Sequence, residues 1–245
     1  MEQRVQVEQA AREIWRKRFP AAKTVFLCGS VVRGEATSHS DLDLVVVLER
    51  AKHAFRESFI YQGWPVEAFV HDLDTLRYFF YEVDAKSGHP ALPQMVVEGI
   101  AIPRPSSFSE SVKDMARKVL DEGPPPLDSA ELDKKRYAVT DLIDDIRAPQ
   151  SDAELMATGA KLFDVLLDYY FRSNRLWSAS GKMAIRRLLE VDTGLATKFE
   201  SSFKKLFTNS DPSACIALAE EILSAKGGFL FDGYRLDAPE SWRRE

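Results

Sequence analysis

Residues 29–48 read GSVVRGEATSHSDLDLVVVL, and the way this stretch folds decides the rest of the chain. Gly29-Ser30 opens a short polar loop, and Asp41-Leu42-Asp43 opens an apolar run that reaches Leu48. On a β-strand alternate side chains share a face, which puts Asp41 and Asp43 side by side. Two adjacent carboxylates repel unless a cation sits between them, and Mg²⁺ takes such oxygens together with substrate phosphates. A Gly-Ser turn opening a helical segment offers free backbone N–H groups, a hydroxyl and no Cβ at the closest approach, which suits a phosphate. The stretch therefore predicts a site for a metal and a nucleotide.

Outward from it, Lys23–Cys28 reads as a short buried strand leading into Gly29, and Leu42–Leu48 as a central strand, apolar on both faces beyond its acidic start. A helix is expected over residues 2–18, with Val5, Ala10, Ile14 and Trp15 at near-helical spacing among charges and Pro20 ending it. Phe55–Tyr61 and Pro65–Val70 flank Gln62-Gly63-Trp64 and read as a hairpin. Leu73–Val83 reads as an amphipathic helix, and Met95–Ile102 as a segment crossing into a last strand before Pro103 and Pro105. From residue 107 onward only helical periodicity appears, over 107–121, 129–147, 152–173, 183–190, 195–208 and 213–225. Asp128 with Glu131, and Ser151 with Glu154, have the spacing of N-terminal capping pairs. The fold expected is α+β over residues 1–105, an α/β-type domain with a mixed sheet, followed by an all-α bundle over 106–245.

Residues 29–43 resemble the signature of the DNA polymerase β-like nucleotidyltransferase superfamily: GS, about ten residues, then DxD, here with Arg33-Gly34-Glu35-Ala36 in the loop and Ser40 before the first Asp. An α/β half followed by a helix bundle is also the layout of the aminoglycoside nucleotidyltransferases. The resemblance implies transfer of a nucleoside monophosphate from a triphosphate, ATP for preference, to an acceptor hydroxyl, with two Mg²⁺ ions and loss of pyrophosphate. Members carry a third carboxylate on a neighbouring strand. Glu67, a charge inside the apolar run WPVEAFVHD, is the candidate, because an unpaired charge there would be costly without a task. Asp72 and Asp74 follow the strand and look more like the start of a helix. Asp41, Asp43 and Glu67 are thus the expected metal-binding and catalytic residues, with Glu67 as ligand, base or both. Gly29, Ser30 and Arg33 are the expected triphosphate contacts. Lys182, after Ser180-Gly181, is a fourth, because relatives often bring a basic residue from the helical domain over the phosphates. Asp164 and Asp168, one turn apart, could give an acidic face for a cationic acceptor.

Composition narrows the alternatives. A net charge of -5 speaks against nonspecific nucleic-acid binding. Cys28 and Cys215 are far apart and lack metal-ligand spacing, which favours packed thiols and a reducing compartment. The N-terminus is charged throughout and no run is long and apolar enough to span a membrane, so the expected location is cytoplasmic. Three functions compete. The first is an enzyme acting on a small hydroxylated molecule, possessing an aminoglycoside-like acceptor class, as monomer or homodimer. The second is an antitoxin-like enzyme that adenylylates a protein. The third is a nucleotide-binding protein without turnover. No histidine follows His89, which excludes a fused HEPN-type ribonuclease with an Arg…His motif.

Overall fold

The computed structural model describes residues 2–243. Five strands, β1 (Ala22–Cys28), β2 (Leu42–Leu48), β3 (Phe55–Tyr61), β4 (Trp64–His71) and β5 (Ile100–Ile102), form one sheet in the order β3-β4-β2-β1-β5. β2 and β4 are parallel and the other pairs antiparallel, so the sheet is mixed, as expected. Between β1 and β2 lies the short helix α2 (Ser30–Arg33).

β2 is central because its residues can be buried on both sides. Leu42, Leu44 and Val46 join Val66, Ala68 and Val70 of β4 against Val7, Ala10, Ala11 and Ile14 of α1 (Glu2–Arg18). Asp43, Val45 and Val47 take the opposite face by the period-two rule. On that face Phe26 of β1 lies beside Gly99 and near the ammonium of Lys113. The β3–β4 hairpin turns on Gln62 and Gly63, whose φ values of 48° and 86° are both positive, the requirement of a type I′ turn.

After β4, Asp72 and Thr75 form a reciprocal capping box at the start of α3 (Leu73–Tyr78), which accounts for the acidic residues there. The chain then widens into a π turn over Phe79–Asp84 and a last α turn, α4 (Ala85–Ser87). The stretch 95–102 differs from expectation. Ala91–Glu98 is a helix, α5, and only Ile100–Ile102 is strand. A short apolar run reads alike in both states. What decides is Asp84, whose carboxylate accepts the N–H of Leu92 at 2.8 Å and caps a helix that begins after Pro90 without a side-chain cap of its own.

The chain divides into two compact units at Pro124/Pro125. Helix α6 (Ser107–Glu122) buries Val112, Ala116 and Val119, and its Lys113 donates to the carbonyls of Val97 and Gly99 at 3.1 and 2.7 Å. Its apolar stripe is used up in the first unit. The change at 105 is one of secondary structure, whereas the change of compact unit comes at the Pro124-Pro125-Pro126 run.

The second unit is helical: α7 (Ser129–Arg147), α8 (Asp152–Ser173), α9 (Lys182–Val191), α10 (Thr193–Asn209) and α11 (Ser213–Ser224) around a core that includes Ile143, Leu166, Tyr169 and Phe199. Asp128 and Glu131 make a full capping box; Ser151 accepts from Glu154 N–H, while the Glu154 carboxylate accepts from Gln150 N–H instead. Both thiols are free and buried. Among the described residues no helix is long and apolar enough to cross a membrane.

Candidate active site

The parallel register of β2 and β4 sets Asp43 directly beside Glu67. Lateral neighbours in a sheet point to one face, so the two carboxylates are delivered together by the backbone alone. Asp41 precedes β2 by one residue and completes the group. Carboxylate oxygens of Asp41, Asp43 and Glu67 lie within 4.8 Å of one another, and all three residues are half-buried. Among the described residues these three form the cluster of His, Cys, Asp or Glu close enough to share an ion.

Asp43 is the innermost member. Burial first, then the negative charges of Asp41 and Glu67, push its carboxyl up to about 6; Arg33 and Arg56 act against the rise. Gly29 explains how the carboxylate fits. A Cβ at position 29 would stand 2.1 Å from Asp43 Oδ2, and the backbone there has φ +79°, a region glycine enters freely. The Gly-Ser turn is thus shaped around the carboxylate as well as exposed backbone. Ser30 opens α2, Gly29 C=O accepts from Val32 and Arg33 N–H, and Gly34, left-handed at φ +76°, closes the turn. Ser40, just before Asp41, fastens the returning loop by accepting Thr37 N–H at 2.8 Å and donating its own N–H to Thr37 C=O at 3.1 Å.

The donor set fits a hard divalent cation: three carboxylates, oxygen only, converging at the end of a central strand, with one cradled where a side chain on residue 29 would collide. Such a cation would offset the repulsion that raises the Asp43 carboxyl.

The other expected contacts divide. Arg33 lies on the turn of α2, but Glu35 and Glu98 hold its guanidinium at 3.1 and 3.0 Å. Lys182 is exposed at the first position of α9 in the second unit, preceded by Gly181 with φ +54°. Asp168 is not a free acidic face: Lys135 of α7 binds it at 2.5 Å, while Asp164 is exposed. One residue escaped the sequence reading. Arg56 of β3 holds Glu67, Nη2 to Oε1 at 2.5 Å. Counting back from the Gln62-Gly63 turn finds it, because Ser58 pairs with Glu67 and Arg56 stands two residues along on the same face. The hairpin was recognisable; the register had only to be carried through to its side chains.

The profile of the nucleotidyltransferase domain family matches residues 9–98, from within α1 to the end of α5. Among solved structures, a nucleotidyltransferase-like protein from Exiguobacterium sibiricum is similar, with a TM-score of 0.46 and 12% identity, over 89% of this chain and 75% of that one. A search of the curated proteins finds no match. The matched residues hold the whole Gly29–Asp43 stretch and Glu67, and over residues 9–98 the chain is similar to the nucleotidyltransferase domain family.

Proposed function

We propose that the protein is a Mg²⁺-dependent nucleotidyltransferase that moves a nucleoside monophosphate, AMP from ATP, onto a hydroxyl of a small acceptor, aminoglycoside-like in class. The observation that carries this reading is the convergence of Asp41, Asp43 and Glu67 beside the Gly29 turn. The acceptor oxygen forms a bond to the α-phosphorus, the α–β phosphoanhydride bond breaks, pyrophosphate leaves and the hydroxyl proton passes to a base. Bound at these carboxylates, two Mg²⁺ ions would neutralise charge on the attacking and leaving oxygens. Asp41 and Asp43 would hold the ions. Glu67 is assigned as the third ligand and as acceptor of the hydroxyl proton. Gly29 and Ser30 would contact the terminal phosphates, with Arg33 and Lys182 as their counter-charges. The chemistry is assigned to the compact unit that ends at Pro124.

The test uses ATP labelled at the α-phosphate, Mg²⁺, purified protein and a fractionated lysate, with Asp43→Asn as control. Asp43-dependent label on a small molecule supports the proposal. Label on a polypeptide replaces it with protein adenylylation. No Asp43-dependent transfer from any nucleoside triphosphate overturns it in favour of nucleotide binding without turnover.

A further inference from the structure

Arg56 is the charge the triad already owns. Its guanidinium is fixed by two contacts: Nη2 to Glu67 Oε1 at 2.5 Å, and its centre 5.1 Å from the ring of Phe69, the residue it pairs with across the hairpin. It senses Asp41 and Asp43 as well as Glu67. Arg33, the other arginine that acts on Asp43, is paired with Glu35 and Glu98 outside the triad, whereas Arg56 is paired with a member of the triad itself. Three carboxylates and one committed guanidinium therefore form a single electrostatic unit.

We propose that Arg56 is a positioning residue that aims Glu67 into the triad and, as a cation in place, suppresses uptake of a divalent ion by the free protein, so that metal enters together with the triphosphate. The inference rests on the reading of the triad as a metal site. With Oε1 engaged by Arg56, Glu67 has Oε2 left to offer. A positive charge a few ångströms from a doubly charged ion disfavours that ion, to an extent tempered by solvent screening of a side chain that is 56% exposed. A triphosphate brings about four negative charges and reverses the balance. The site then discriminates between bare cation and cation–nucleotide complex.

The experiment measures Mn²⁺ binding to the full chain by electron paramagnetic resonance, with and without an α,β-methylene nucleoside triphosphate. It compares wild type, Arg56→Met, Arg56→Gln, Arg56→Lys and Asp43→Asn, each checked by circular dichroism. Wild type is expected to bind Mn²⁺ much more tightly with nucleotide than without. Arg56→Met and Arg56→Gln should bind Mn²⁺ alone roughly tenfold more tightly, shrinking the nucleotide effect. Arg56→Lys should restore wild-type Mn²⁺ binding yet keep a lowered kcat at unchanged nucleotide KM, since a point charge replaces the guanidinium's flat fork. Unchanged or weaker Mn²⁺ binding in both neutral variants, with Asp43-dependent binding in wild type, overturns the role of Arg56 and leaves the site standing. Absence of Asp43-dependent Mn²⁺ binding in wild type with nucleotide overturns the site and the role of Arg56 together.

Discussion

Asp43 and Gly29 fit each other so closely that each constrains what the other position can carry. Gly29→Ala would set a Cβ against Asp43 Oδ2 in a backbone region that disfavours side chains. It is expected to cost ~1–3 kcal/mol in denaturant unfolding and to remove most of any transfer activity. Asp43→Asn keeps the shape and removes the charge, so activity should vanish while the metal-free melting temperature does not fall. Glu67→Gln should lower turnover by roughly 10²–10⁴-fold at little cost in stability. Two buried groups outside the site set opposing pH slopes. Burial holds His71, at the end of β4, down at about 4, so the unfolded chain binds its proton first and His71 destabilises the protein as pH falls from 6.5 toward 4. Burial pushes Asp84 up to about 6, so the folded chain holds its proton longer, and stability declines as pH rises from 3.8 toward 6. At neutral pH Asp84 is therefore a standing cost. Asp84→Asn, which can still accept the Leu92 N–H, should raise stability at pH 7 by about 1–3 kcal/mol and leave a steeper acid loss governed by His71. Chemical denaturation at pH 4 to 7 checks both signs.

The elements show what a single sequence reveals and where it stops. Strands β1 to β4 and helices α1 and α6 to α11 were legible because each has a long periodic pattern or a flanking Gly, Pro or cap. The side-by-side placement of Asp43 and Glu67 was legible only through the resemblance. Their contact depends on β2 and β4 being parallel neighbours in register, a long-range fact with no local trace. Helix α5 was missed because its cap, Asp84, lies eight residues from the N–H it accepts. Arg56 was missed because its partner is set by hairpin register rather than by spacing along the chain. Asp168 looked like a free acid because Lys135, its partner, sits on another helix.

At the scale of the whole molecule, the boundary of the first unit has a direct consequence. A fragment of residues 1–124 should fold with a cooperative thermal transition. A fragment ending at 105 loses α6, exposes the surface covered by Val112, Ala116 and Val119, and should aggregate or melt far lower; circular dichroism of the two fragments separates the outcomes. If Lys182 serves the triphosphate as proposed, Lys182→Ala in the full chain should raise the nucleotide KM about tenfold with kcat little changed. The three carboxylates all come from the stretch between Asp41 and Glu67, at the start of β2 and on β4, with β3 between them in the chain. An insertion at Gln62-Gly63 that shifted the β3–β4 register would part Arg56 from Glu67 while leaving Asp41 and Asp43 in place on β2.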